Sequence, residues 1–178
     1  MVQVNLKRKY ENNSCTHGIL TIPAYNFKCL TLELCDGDDK VYKQDCRISE
    51  GMYPLMQGFA QGSPMFPIFK KKPKGFPKKP QFNLSADCYM ELPTGDIALG
   101  TERLDNFSIR QSDELATAFK DIFRDVFHRK EIVVLCVYKS DNYRTEDVSF
   151  SQALEKMYDF INDDDYDEDE LEDDRLDG

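Results

Sequence analysis

The residues whose chemistry could support catalysis are six cysteines, two histidines and several acids in predicted turns. The cysteines stand at positions 15, 29, 35, 46, 88 and 136, without any Cys-x-x-Cys pair, and the histidines are His17 and His128. A zinc site needs about four clustered ligands, and a cysteine nucleophile needs a base beside it. Neither pattern is present, so we expect no metal and no cofactor. Unpaired thiols of this kind are typical of a reducing cytoplasm.

Two residues remain as weak catalytic candidates, Cys88 and Asp96. Cys88 could act as a nucleophile, although a small half-buried apolar side chain is the alternative interpretation. Asp96 could act with a neighbouring acid in general acid–base hydrolysis. We expect His17 to lie in an early turn and His128 to end a helix, so neither histidine is expected beside Cys88.

A basic segment within residues 57–82 is a candidate binding loop. Prolines at 64, 67, 73, 77 and 80 exclude a regular helix or an inner strand and predict an extended loop or sheet edge. Phe69, Phe76 and Phe82 interleave with lysines, as in a groove for single-stranded nucleic acid. Solvated surface lysines are the alternative. The candidate binding residues are Lys70, Lys71, Lys72, Lys74, Phe76, Lys78 and Lys79.

The net charge of −10 belongs to the C-terminal tail. Residues 163–178 contain eleven acids and one base, and subtracting these from 33 acids and 23 bases leaves 22 of each in residues 1–162. A formally neutral body makes a general nucleic-acid binder unlikely, because phosphate contacts need a net basic face. The tail is predicted to be disordered. It could improve solubility, lie against the lysines, or bind a basic partner surface.

The elements that must position these residues are mostly strands. Alternating apolar residues predict strands at 2–6, 18–22 and 27–34, and an extended piece follows at 46–56. Ser112 is a good N-cap for a helix whose phenylalanine stripe should face the core. Residues 131–138 are apolar on both faces and predict a central strand. A second helix is predicted from Ser149. No apolar run is long enough to span a membrane, and no signal-peptide pattern opens the chain.

Five short motifs follow one another along the chain: Thr16-x-Gly18-x-Leu20-x-Ile22, Cys29-x-Thr31-Leu32-Glu33, Arg47-Ile48-x-x-Gly51-x-Tyr53, Pro64-x-Phe66-Pro67 and Gly95-x-Ile97-x-x-Gly100. Their order resembles a family of L,D-transpeptidase-like domains of unknown function from bacteriophage and bacterial genomes. The resemblance covers about residues 2–138. It implies a mainly β (α+β) fold with one packed helix. We therefore predict an L,D-transpeptidase-like domain at 1–140, and outside the resemblance a C-terminal helix at 141–162 and a disordered acidic tail at 163–178.

In active members of this family, a cysteine in a Gly-Cys turn attacks a peptide carbonyl, and an upstream histidine activates it. On the same alignment, Asp96 replaces the cysteine in the turn formed by Gly95, Asp96 and Gly100, and residues 82–87 contain no histidine. We call this the degenerate-site turn. The resemblance therefore implies a pseudoenzyme, a non-catalytic binding or structural module.

The resemblance also indicates partners and location. A protein or a cell-wall (peptidoglycan) peptide is the expected partner, in the cytoplasm of a bacterial host or in association with a virion. One alternative is a cysteine-dependent peptidoglycan transpeptidase or peptidase that uses Cys88. Another is an adaptor or inhibitor whose acidic tail binds a basic host or virion protein. The oligomeric state is left open.

Overall fold

The structure is a computed structural model that describes residues 1–35, 47–76 and 78–145. These residues form a mainly β fold with one packed α-helix, which confirms the predicted fold class. The predicted helix from Ser149 and the acidic tail lie outside the described residues. The strands are β1 (Val2–Glu11), β2 (Cys15–Ile22), β3 (Phe27–Leu34), β4 (Gly51–Ala60), β5 (Ser63–Phe69), β6 (Phe82–Asn83), β7 (Ile97–Gly100), β8 (Glu102–Arg103), β9 (Ile109–Arg110) and β10 (Val133–Thr145), and the helix α1 is Asp113–His128.

Eight of these strands form one sheet in the order β5-β4-β10-β1-β2-β3-β7-β6, while β8 and β9 form a separate hairpin. The strand β10 pairs in parallel with β1 and antiparallel with β4, so it lies inside the sheet as its apolar sequence predicts. It continues to Thr145, past the predicted domain boundary at 140. A bridge between Ile68 and Gln81 joins the two outer edges of the sheet. The sheet is therefore strongly curved.

The first prolines of the basic segment lie in the edge strand β5. Pro64 and Pro67 lie in β5, which is an edge strand of the hydrogen-bonded order. Proline is tolerated at an edge because its missing N–H costs no ladder bond on the open side. The predicted extended edge is confirmed for residues 63–69.

The inner face of the sheet packs against α1 through a cluster of phenylalanines. The ring of Phe119 lies 5.8 Å from Phe66, 5.3 Å from Phe82 and 4.8 Å from Phe123, centroid to centroid. Ser112 caps the helix, since its hydroxyl accepts a hydrogen bond from the Leu115 amide at 3.1 Å. The predicted N-cap and the predicted core stripe are both confirmed.

A second, smaller core covers part of the outer face. Residues 86–92 and 107–109, before and after β7, lie over β2, β3 and β7, and their side chains pack on residues that alternate with those of the inner core. Cys88 and Ser108 form an isolated bridge that ties these two stretches together. The residues of this outer core are Cys15, Leu32, Ala86, Leu92, Ala98 and Ile109, with Leu34, Tyr89 and Phe107 packed against them.

Candidate functional site

The degenerate-site turn holds its aspartate in a structural role. Asp96 is 3% exposed, and its carboxylate accepts a hydrogen bond from the Gln81 amide at 3.0 Å. Its own amide donates to the Pro93 carbonyl at 3.0 Å, and the Ile97 amide donates to the Gln81 carbonyl at 2.9 Å. Burial raises the pKa of the Asp96 carboxyl, while the Gln81 bond and the charge of Lys78 oppose the rise. The carboxylate therefore positions the backbone at Gln81.

Gly95 lets the basic segment close over this turn. Its φ is +85°, and a Cβ at this position would lie 2.8 Å from the ring of Phe76 and 3.0 Å from Pro80. Only glycine fits that conformation and that space without strain. We name residues 70–79 the lysine loop, and residue 77 of this loop lies outside the described ranges. Phe76 and Pro80 anchor the loop on the turn, so the structure brings two of the predicted candidate sets together.

The loop presents its lysines and buries its phenylalanine. Lys70, Lys71, Lys72, Lys74, Lys78 and Lys79 are all exposed. Phe69, Phe76 and Phe82 are between 0% and 3% exposed and belong to the inner core. The expectation that these rings interleave with lysines on one binding surface is wrong, because the rings belong to the core between the sheet and α1. A stacking platform for single-stranded nucleic acid would need them at the surface.

Cys88, the candidate nucleophile, lies in the segment that covers the outer face. It is half-buried and precedes a short 3-10 turn at Tyr89–Glu91. His128 is the last residue of α1, as predicted. The other histidine, His17, lies inside β2 and contacts a different cysteine, Cys15. The prediction that His17 lies in an early turn is wrong.

The contact of Cys15 with His17 is the cysteine–histidine pair that sequence reasoning missed. The thiol sulfur lies 3.8 Å from Nε2 of His17, and both groups reach the carbonyl oxygen of Asn106, at 3.1 Å and 3.0 Å. Asn12 donates to the same carbonyl at 2.8 Å. A Cys-x-His spacing on a strand places both side chains on one face, so a strand prediction that included Cys15 would have revealed the pair.

The Cys15 thiol and the His17 imidazole are both held in their neutral forms. Burial raises the pKa of the Cys15 thiol far above its usual range. Burial, with a contribution from the charge of Arg103, lowers the pKa of His17 to about 3. A cysteine nucleophile needs a thiolate and an imidazolium beside it. At neutral pH the pair instead holds the Asn106 loop by hydrogen bonds.

Two buried ion pairs lie at the same end of the sheet as Cys15 and His17, on its other face. Arg8 and Glu33 are each 1% exposed and form two hydrogen bonds, of 2.9 Å and 2.7 Å. Arg8 also donates to the Ile48 carbonyl at 2.7 Å. The sequence predicted β1 and β3 but not this pairing, because the two residues meet only through the order of the strands.

The second pair joins Arg47 to Glu11 and includes Thr16 and Tyr143. Arg47 donates to the Glu11 carboxylate and to the Thr16 hydroxyl, and Tyr143 donates to the same carboxylate at 2.6 Å. Burial and the bond to Glu11 raise the pKa of Tyr143 to about 12. These contacts fix the chain at residue 47 against β1, β2 and β10.

Within the described ranges, no three His, Cys, Asp or Glu side chains converge on a possible metal site.

None of the helices in the described part of the chain has the length and apolar character needed to cross a membrane. In comparisons with known proteins, no protein-family model, no curated protein and no solved structure matches this chain.

Proposed function

We propose that this protein is a non-catalytic binding module of the L,D-transpeptidase-like type that its motifs resemble, and that the lysine loop contacts an anionic peptide ligand. The observation that carries the proposal is that the Asp96 side chain is buried and hydrogen-bonded to the backbone. A buried carboxylate that accepts the Gln81 amide anchors a loop, and it is withdrawn from solvent and from any substrate.

The state of the other reactive groups supports a binding role. The Cys15 thiol and the His17 ring are buried and neutral at physiological pH. Acyl transfer needs an accessible nucleophile and a base within hydrogen-bond reach. Cys88 is the remaining candidate nucleophile among those considered, and the variant Cys88→Ala tests it.

The ligand class follows from the surface that the loop presents. Six exposed lysines on a loop anchored at Phe76 attract carboxylates, and such contacts weaken as salt increases. Cell-wall stem peptides are short and carry free carboxylates, which makes them the first ligands to test. The anchoring matters because a positioned loop loses less conformational entropy on binding than a free one.

The experiment titrates the full chain with purified muropeptides and follows binding by calorimetry and products by mass spectrometry. We expect salt-sensitive binding without cross-linked or cleaved product. The double variant Lys71→Glu/Lys72→Glu should bind about tenfold more weakly. The matched control, Arg124→Glu/Lys130→Glu, changes the net charge equally at exposed positions of α1 and its end, and should bind as the wild type does.

Two outcomes would contradict the proposal. Absence of binding, or equal weakening by the control variant, would remove the lysine loop as the contact. Product formation that disappears in Cys88→Ala would establish the alternative, an enzyme with a displaced cysteine nucleophile.

A further inference from the structure

The outer face of β4 and β10 carries an exposed apolar patch. In the register of these strands, Met52 lies opposite Cys136 and Pro54 lies opposite Val134, so the four side chains share one face. The alternate residues of β10 belong to the inner core. Met52 is 71% exposed, and Ile132, directly before β10, is 68% exposed. We name this set the outer apolar patch: Met52, Pro54, Met56, Ile132, Val134 and Cys136.

The patch belongs to a hairpin that has no charged residue. Residues 51–69, which form β4, the turn and β5, contain no Asp, Glu, Lys, Arg or His. The hairpin nevertheless exposes large side chains, since Met56 is 42% and Phe59 is 76% exposed. The acids that precede β4 and Ile132 in the chain, Glu50 and Glu131, each lie in an ion pair, at 3.5 Å and 3.3 Å. A contiguous apolar surface of this kind is typical of a site that contacts a protein or a membrane.

Lysines border the patch at the end where Met52 lies. The Lys70 amide donates to the Pro54 carbonyl at 3.0 Å, and the chain beyond Lys70 continues towards Met52. The Lys79 ammonium donates to the Lys70 carbonyl at 3.2 Å, so both ends of the lysine loop lie at this corner. On the other side of the patch, β1 contributes Lys7 at the same end. The exposed lysines of the loop therefore lie next to an uncharged apolar surface.

This combination of charge and apolar surface favours a lipid surface over a second copy of the chain. A symmetric dimer brings the same residues from both copies. The patch and its neighbours on β1, Gln3, Asn5 and Lys7, include no acid that could offset the lysines of the other copy. Anionic lipid headgroups do offset such charges, and each lysine near an anionic leaflet strengthens binding. Apolar contact adds the second contribution that stable attachment to a membrane needs.

We propose that the outer apolar patch and the lysine loop together form a peripheral contact with an anionic lipid surface. The side chains of Met52, Met56 and Ile132 lie between the headgroups and the acyl chains, and the lysines contact the headgroups. The proposal does not depend on the muropeptide ligand, although both use the lysine loop. Substitutions at Met52 and Ile132 leave that loop unchanged, so they separate the two proposals.

The test is sedimentation of the full chain with vesicles. Vesicles of equimolar phosphatidylcholine and phosphatidylglycerol should bind the protein, and vesicles of phosphatidylcholine alone should bind it about tenfold more weakly or less. The double variant Met52→Asp/Ile132→Asp should bind the anionic vesicles about tenfold more weakly, since it loses apolar contact and gains two negative charges. The matched control, Met90→Asp/Leu104→Asp, gains the same charge at positions that are 73% and 40% exposed outside the patch, and should bind as the wild type does. Unchanged circular dichroism shows that each variant is folded.

Two half-buried cysteines report which surface is in contact. Cys136 lies in the patch, whereas Cys88 lies in residues 86–92, which cover another part of the outer face. Anionic vesicles should slow the reaction of Cys136 with iodoacetamide in proportion to the fraction of protein bound. The reaction of Cys88 should keep its rate.

Four results would overturn the proposal. The first is absence of sedimentation with anionic vesicles, and the second is equal binding to both kinds of vesicle. The third is binding that Met52→Asp/Ile132→Asp leaves unchanged, or equal protection of Cys136 and Cys88. The fourth is protection of Cys136 without lipid that depends on protein concentration and accompanies a dimer in ultracentrifugation, because the patch would then contact a second copy of the chain.

Discussion

Replacing Glu33 with glutamine tests how the structure supports a buried charge. Glu33 and Arg8 are each 1% exposed, and three hydrogen bonds converge on this guanidinium, two from it to Glu33 and one to the Ile48 carbonyl. Glutamine keeps the shape but removes the negative charge, so Arg8 stays buried and uncompensated. Removing one partner of such a pair costs about 3–5 kcal/mol. For a domain of this size, that loss lowers the melting temperature by about 10 °C.

The assay is urea unfolding of the full chain at neutral pH, followed by circular dichroism. Glu102→Gln is the matched control, because Glu102 pairs with Arg110 at 3.1 Å but the two side chains are 58% and 60% exposed. An exposed pair contributes at most about 1 kcal/mol. The double variant Arg8→Met/Glu33→Leu should recover most of the lost stability, since it removes both charges. A loss below about 1 kcal/mol in Glu33→Gln would refute the assignment of a buried ion pair.

Three further predictions concern thiols, a histidine and a helix cap. In the folded chain, iodoacetamide should modify the half-buried Cys88 and Cys136, whereas Cys15 should react only after unfolding. The reason is that Cys15 is buried and that burial raises the pKa of its thiol. Labelling of Cys15 in the folded chain at a comparable rate would contradict this prediction. Burial lowers the pKa of His17 in the folded state to about 3, below the 6.5 of an unperturbed histidine. Between these two pH values the unfolded chain binds a proton at His17 that the folded chain does not bind. The free energy of unfolding therefore falls as the pH falls from 6.5 towards 3. At pH 5 the loss is about 2 kcal/mol, and unfolding of His17→Gln should lack this part of the pH dependence. Ser112→Ala should cost about 1 kcal/mol in urea unfolding and Ser112→Asn almost nothing; equal losses would remove the capping role.

The elements that the sequence predicts well are those whose signals are local. The helix α1 follows from Ser112 and from apolar residues at helical spacing, and the structure begins the helix at Asp113. The bounds of β3, Phe27–Leu34, agree with the predicted strand. Residues 131–138 predict a central strand because both faces are apolar. In each case, the information needed lies within one element.

The features that the sequence could not predict depend on which strands become neighbours. Arg8 reaches Glu33 because β2 lies between β1 and β3, and Cys15 is buried because residues 86–92 and 107–109 fold over it. No local pattern encodes either arrangement. For the phenylalanines of the basic segment, a local pattern led to a wrong prediction. Their spacing among lysines indicated a shared surface, whereas Phe69 and Phe82 lie in the inner core because of strand alternation and the curvature of the sheet.

The side chain of Asp96 explains how the degenerate-site turn holds the end of the lysine loop. A cysteine sulfur is a weak hydrogen-bond acceptor, whereas a carboxylate accepts amide hydrogen bonds strongly. Asp96 therefore fixes the Gln81 amide, and the Gln81 carbonyl in turn accepts the Ile97 amide, so the exit of the lysine loop is held from both sides. Phe76 fixes the middle of the loop on Gly95. Asp96 thus supports the exit of the loop that carries the exposed lysines, and these lysines are the residues to which the proposed function assigns the ligand contact.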